Sequence, residues 1–307
     1  MGCKYCAWEK VVKNGAVKGK QTYLSKDCGH RFFEGSDFPR MKTKSKVIST
    51  AIDLFYEGLS VRKVQFQIEK LFDVRVSQVT VWEWIMKYSE LVSAFVIKFS
   101  PQLSGEWKVD ETAIERKAVQ KWFWEIIDEE TRFLVASHLS GDRTIGDVVQ
   151  LFEKGLRMSK ENPTTIYVDG LPSYQKGFNK VFYSKYKEER VELVRKAGMR
   201  ARKNNNIVER MHGTLKYRTR VTRGLKEMET VDTLLKGWTV HYNFVRKHQT
   251  IGKTPAQASG ITVQNERHQL IKDAVERETN DESIVRKALR AEISSLVKPV
   301  IEKVVFT

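Results

Sequence analysis

Asp110, Asp169 and Glu209 are the residues whose types and positions best suit chemistry. Asp110 lies in Trp-Lys-Val-Asp-Glu-Thr (107–112), a short alternating run that puts Val109 into a core and Asp110 near a strand end. Glu111, by the same alternation, points away. Asp169 closes Thr-Ile-Tyr-Val-Asp-Gly (165–170), where Ile166 and Val168 mark a buried strand and Gly170 begins a turn. Glu209 sits in 204–216, which reads as a helix with an Asn N-cap. Carboxylates suit Mg²⁺ or Mn²⁺, hard cations that take oxygen ligands and keep several waters or phosphate oxygens. Two such ions about 3.5–4 Å apart can activate a water or hydroxyl and stabilise the leaving oxygen of an in-line displacement at phosphorus. No protein nucleophile is then needed. A chain with 38 acidic residues also places some after strands by accident, so position alone leaves a plain surface reading open.

The elements that must position the three residues follow from periodicity. Segments 122–128 and 133–139 read as antiparallel partners of the first strand, joined by a turn at 128–131. Segment 144–158 has a helical period in Ile145, Val148, Val149, Phe152 and Leu156. A parallel strand at 165–169 and another at 190–194 complete an α/β mixed sheet with flanking helices, the arrangement a ribonuclease H-like domain requires.

The neighbouring residues resemble the DDE transposases of prokaryotic insertion sequences, in particular the group called IS six. The resemblance runs through Trp-Lys-Val-Asp-Glu-Thr, Ser-Gly-Asp-Arg-Thr (140–144), Val-Asp-Gly-Leu-Pro-Ser-Tyr (168–174), the block 205–220 and the block 241–258. It implies a ribonuclease H-like or integrase-like core in which Asp110, Asp169 and Glu209 bind two Mg²⁺ or Mn²⁺ ions. The implied activity is metal-dependent cleavage and strand transfer on double-stranded DNA, with a homodimer coordinating the two element ends. An inactive, domesticated DNA-binding derivative is the alternative. Glu209 follows Asp169 by 40 positions, slightly longer than is usual in that group, and the charged stretch 185–190 has room for the extra residues.

The same resemblance makes 1–38 a zinc-ribbon-like hairpin with Cys3, Cys6 and Cys28 as ligands. Ser25 stands where a fourth Cys is expected, so the ribbon is degenerate: either His30 supplies the fourth ligand or the zinc site is weak or lost. Next, 45–98 reads as a helix-turn-helix domain. Val47, Ile48, Ala51, Ile52, Leu54 and Phe55 recur at helical spacing, Gly58-Leu59-Ser60 makes a break, and Val61, Val64, Phe66, Ile68, Leu71 and Phe72 continue the pattern. Ser77 caps the next helix, which puts Gln78, Thr80 and Lys87 against DNA. A plain helical bundle fits the pattern too.

Along the Glu209 helix, His212 and Lys216 share its face at three and seven positions on. Lys216, with Arg218 or Arg220, is placed on phosphates; His212 faces DNA or belongs to an exposed basic face. Asp142 and Arg143 match a family block, though Asp142 also suits a helix cap. The catalytic core spans 104–261, and 262–307 is a helical extension with helices at 264–277 and 283–297.

Composition agrees. Lys and Arg number 54 against 38 Asp and Glu, a net charge of +16 that fits a polyanionic partner. No apolar run nears the roughly 20 residues of a membrane span, and no signal-peptide core opens the chain. The expected location is the cytoplasm, on chromosomal DNA. Three Cys argue against a disulfide framework.

Overall fold

The computed structural model describes residues 3, 9–17, 20–33, 38, 41, 43–116, 119–186, 190–195, 206–220, 228–263 and 266–278. By packing, the chain forms two compact units, Met1–Ser49 with His268–Thr307, and Thr50–Arg267.

The first unit holds an antiparallel ribbon of β1 (Val11–Val17), β2 (Lys20–Ser25) and β3 (Arg31–Phe33). Tyr23 lies opposite Phe32, and the two rings stack at 5.9 Å. Cys3 and Phe32 form a small buried centre with Val11, Tyr23 and Cys28 against it, whereas Val12 is exposed. Gly29 takes a φ of 71°, which lets the chain turn back into β3 while its N–H donates to the Ser25 carbonyl at 3.0 Å.

Three helices follow, α1 (Ser45–Tyr56), α2 (Val61–Phe72) and α3 (Gln78–Val96). Ser60 and Ser77 cap α2 and α3, each accepting a backbone N–H three residues on. Val64 and Ile68 bury the inner face of α2. Phe66 and Leu71, expected to extend that face, are exposed, because they fall on the opposite side of the 3.6-residue period.

The sheet is built from β4 (Glu106–Arg116), β5 (Val119–Asp128), β6 (Leu134–Ser140), β7 (Thr165–Val168) and β8 (Glu192–Arg195), in the order β6-β5-β4-β7-β8. β5 and β6 form an antiparallel meander from β4, while β7 and β8 run parallel to β4 and to each other. This is a ribonuclease H-like sheet. Between β6 and β7 lies α4 (Ile145–Ser159), started by a capping box of Thr144 and Asp147; Thr144, not Asp142, is the cap. Between β7 and β8 lies α5 (Pro172–Phe182), opened by a Pro in its first turn.

After β8 come α6 (Asn206–Arg220), α7 (Met228–Val240), a π-helical turn at His241–Val245 and α8 (Pro255–Ala258). Residues 267–278 are helical; the helix expected at 283–297 lies outside the described residues. The π-helical turn aims Asn243 at the open edge of β6, where its side-chain amide accepts from the Leu134 N–H at 2.9 Å and donates to the Leu134 carbonyl at 3.0 Å.

α3 packs on α7 through Gly237, where an added Cβ would overlap the Tyr56 hydroxyl and Ser89. Those two hydroxyls are hydrogen-bonded at 2.7 Å in a buried setting. Gly237→Ala is expected to cost about 1–3 kcal/mol by overpacking, read as a lower urea midpoint; an unchanged midpoint would show that α3 and α7 do not meet this closely.

Candidate active site

β4 supplies the first carboxylate. Its two faces are both covered, so Val109 and Lys108 are each fully buried. Lys108 makes an ion pair with Glu129 at 2.6 Å and lies 3.4 Å from the Tyr167 ring centre, a buried cation that alternation alone assigns to no site. Asp110 follows on the same face as Lys108. Its Oδ1 accepts the Glu111 N–H at 3.0 Å.

β7 supplies the second. Parallel pairing sets Trp107 beside Ile166 and Lys108 beside Tyr167, so Asp169 emerges next to Asp110 just where β7 stops. Its Oδ1 accepts the Leu171 N–H at 2.9 Å, which fixes the turn into α5.

Asp110, Glu111 and Asp169 each offer a carboxylate oxygen within 4.8 Å of the others, the arrangement a metal ion can use. The expectation that Glu111 points away is corrected here. It does leave the strand on the opposite face from Asp110, but β7 ends at Val168, and past that end no strand separates Glu111 from Asp169. Glu111 is held there by the Tyr174 hydroxyl, which donates at 2.6 Å, and by Arg143 at 3.3 Å, whose guanidinium stacks 4.0 Å from the Trp122 ring.

Crowding of carboxylates leaves a mark on their acidity. Burial pushes Asp110 up to about 6, with Glu111 and Asp169 adding to the rise and His212 opposing it. Burial likewise raises Glu111, against the donation from Tyr174. Excess negative charge in a half-enclosed pocket of oxygen donors is what a hard divalent cation would relieve, so the residues present fit such an ion.

The sign of the Asp110 shift gives a prediction. The folded state binds a proton more tightly than the unfolded state, so the contribution of Asp110 to stability falls as pH rises from about 4 to about 6 and stays low above that. In EDTA, Asp110→Asn should therefore melt above wild type at pH 7, with the gap closing by pH 4 and shrinking when Mg²⁺ is added to wild type. An equal gap at both pH values would contradict a buried, crowded Asp110.

α6 crosses this face of the sheet. His212 is buried, with Nε2 2.7 Å from Glu125 Oε2 and Nδ1 3.9 Å from Asp110 Oδ2. Glu125 is opposite Asp110 in the β4–β5 register and has no exposure. Burial alone would lower His212, but Glu125 and Asp110 together carry it above its usual value; burial raises Glu125 to about 7. His212 thus meets neither DNA nor solvent as expected: it joins a carboxylate to Asp110. Glu125 was missed in the sequence, and its one signal is an acidic residue inside the apolar run Trp122–Asp128.

Glu209 is exposed one turn before His212, about 4.5 Å along the helix axis. It lies outside the 4.8 Å group formed by the other three carboxylates. Lys216 is exposed farther along. Arg218 is not on a DNA face: it is buried, its guanidinium 3.4 Å from the Phe55 ring centre, and burial lowers its pKa to about 10. Position 218 continues the inward stripe of Val208, Met211 and Leu215, each buried. The Arg220 side chain lies outside the described residues.

In the helical region, Gln78 and Lys87 are exposed, and the Thr80 hydroxyl is 2.9 Å from Ser77 Oγ within the cap. In the ribbon, Cys3 and Cys28 have their Sγ atoms 3.5 Å apart, and Cys6 lies outside the described residues. Ser25 is buried, and its Oγ accepts the N–H groups of Asp27 and Cys28 at 3.4 Å each. His30 is half-buried two residues past Cys28.

The ribonuclease H-like sheet gathers Asp110, Glu111 and Asp169 beside the end of β7. Residues 104–248 match the family model of the DDE domain, DDE_Tnp_IS240. No curated protein matches the chain. Similar solved structures include the HTLV-2 integrase catalytic core domain in complex with magnesium. Its trimeric form is 14% identical at a TM-score of 0.39, covering 52% of this chain and 99% of that one. Its dimeric form is 15% identical at 0.38, covering 52% and 98%. A simian T-cell lymphotropic virus intasome in complex with the PP2A regulatory subunit B56 gamma is 14% identical at 0.40, covering 53% and 56%. No described helix is long and apolar enough to cross a membrane.

Proposed function

We propose that the protein is an insertion-sequence transposase of the IS six group that cuts double-stranded DNA at the element's ends and joins the freed 3′-hydroxyl to target DNA. The observation that carries this is the convergence of Asp110, within β4, and Asp169, just past the end of the parallel β7, with α6 laid beside them. Asp110, Asp169 and Glu209 are the ligands for Mg²⁺ or Mn²⁺, with Glu209 entering from α6. When bound, a pair of such ions supplies activation of the attacking oxygen and stabilisation of the leaving oxygen at phosphorus.

The chain's own residues do the positioning. Backbone N–H groups of Glu111 and Leu171 fix one oxygen each of Asp110 and Asp169, leaving the other free to turn to the ligand site. The Glu125–His212 pair restrains Asp110 from the helix side. Exposed Lys216, two turns from Glu209, suits a phosphate near the scissile bond.

The rest of the chain serves DNA placement in this reading. Residues 45–98 act as a helix-turn-helix with Gln78 and Lys87 toward the duplex; Thr80 contributes chiefly through its cap. The region 1–38 is a degenerate ribbon. The 3.5 Å between Cys3 and Cys28 is near the edge of about 3.8 Å expected of two thiolates on one tetrahedral zinc, with Cys6 and His30 completing the set. Ser25 keeps the hydrogen bonds of a knuckle without the thiolate. The core occupies 104–261, 262–307 extends it, and a homodimer in the cytoplasm acts on both element ends.

Nicking of supercoiled plasmid by the purified full chain, with Mg²⁺ or Mn²⁺ against EDTA, tests the reading. Metal-dependent nicking followed by joining of a labelled 3′ end supports it. DNA binding with no nicking, even on the element's own terminal sequence, supports the inactive derivative instead.

A further inference from the structure

The unit that carries the sheet also contains a cleft of about 520 Å³ with a cationic wall. Arg210 reaches it from α6, Arg132 from the β5–β6 turn, and Arg246, Lys247 and His248 from the segment after the π-helical turn. Among the described residues of the lining Glu57 is the single carboxylate, and it already faces His241 at 3.4 Å. Arg132, Arg210, Arg246 and Lys247 make no ion pair among the described residues. Nη1 of Arg132 and Nε2 of His248 are buried without a hydrogen-bond partner among the described residues. Burial pushes His248 down to about 4, and the neighbouring Arg246 and Arg132 add to the fall. Unpaired cations around a cleft of polar lining call for an anionic ligand.

The cleft's place on α6 narrows the ligand. Arg210 and Thr214 line it from one side of the helix, while Glu209 and Lys216 lie on another. A helix is about 10–12 Å across, which is about three nucleotide steps at 3.4 Å each. A strand crossing α6 from the carboxylates would meet the cleft about that many steps on. We propose that this cleft, formed by Arg132, Arg210, Arg246, Lys247 and His248, binds backbone phosphates of the DNA strand about three nucleotides from the scissile bond. The proposal rests on the reading above that DNA is the substrate.

The test is equilibrium binding of the full chain to a short fluorescent duplex across a NaCl series. The variants are Arg246→Gln/Lys247→Gln, Arg210→Gln, and a control pair on α5, Lys176→Gln/Lys180→Gln, whose side chains are exposed. Each lost phosphate contact lowers the slope of log K against log salt by about 0.9. The cleft double variant should lose about 1–2 such steps and bind at least roughly tenfold more weakly, Arg210→Gln about one step, and the control pair less than half a step. Arg210→Gln keeps the test open if the double variant does not fold. An equal fall in the control pair, or unchanged slopes in both cleft variants, overturns the assignment. Failure of the parent reading looks different: wild type then shows no steep salt dependence at all.

Discussion

Asp110→Asn and Asp169→Asn are each expected to reduce metal-dependent nicking by about 10³-fold or more, the order seen when one member of an interdependent catalytic set is removed. Both residues sit in the group whose oxygens lie within 4.8 Å, and each already has one oxygen fixed by a backbone N–H. Replacing a carboxylate oxygen by an amide nitrogen removes a charge and a ligand at once while keeping the side chain's shape. The third ligand is where two residues compete. Glu111 is nearer, but both of its oxygens are engaged, by Tyr174 and Arg143. Glu209 is farther away but exposed on α6. Glu209→Gln should therefore match the aspartate variants, and Glu111→Gln should cost only about tenfold to a hundredfold through slackened support of the site. The reverse ranking would make Glu111 the ligand, and full activity in Asp110→Asn would end the transposase reading altogether.

Glu125→Ala is expected to destabilise the folded chain by about 3–5 kcal/mol, because it leaves the buried His212 without the partner that balances it. At about 2–4 °C per kcal/mol for a chain of this size, the apparent melting temperature drops by roughly 6–20 °C. Glu125→Gln should cost far less, since an amide oxygen can still accept from the imidazole. The two partners should also couple: His212→Ala in the Glu125→Ala background adds much less than it costs alone. Differential scanning calorimetry on the four proteins decides it. Additive losses, or a melting temperature for Glu125→Ala within a degree or two of wild type, would show that the pair is not buried as described.

Strands β4 to β7 and helix α4 were legible in the sequence because their apolar positions keep a clean period, and α6 through the Asn residues that open it. The flat run Thr165–Val168 and the period of Val148, Phe152 and Leu156 point to their structures unaided. α5 gave no such stripe, since its buried positions include Ser173, Tyr174 and Gly177. Asp169 was legible because it follows a buried strand, and Asp110 through the alternation around Val109, although β4 runs on past it to Arg116 rather than ending there. Glu111 was misjudged because alternation describes a strand with neighbours on both sides, and β4 outruns β7. Lys108 and Glu125 were illegible for a common reason: polar residues on an alternating strand read as solvated, and only the arrival of other elements over that face buries them. Arg218 misled through its charge, although its position on the stripe of Met211 and Leu215 was visible.

The amide of Asn243 has a consequence beyond local bonding. By presenting an N–H and a carbonyl to Leu134, it imitates one residue of a neighbouring strand at the outer margin of β6. That margin is where an unguarded sheet recruits extended peptide and begins to polymerise. A side chain that occupies the first rung of the missing ladder leaves less of this border open to a strand from another copy.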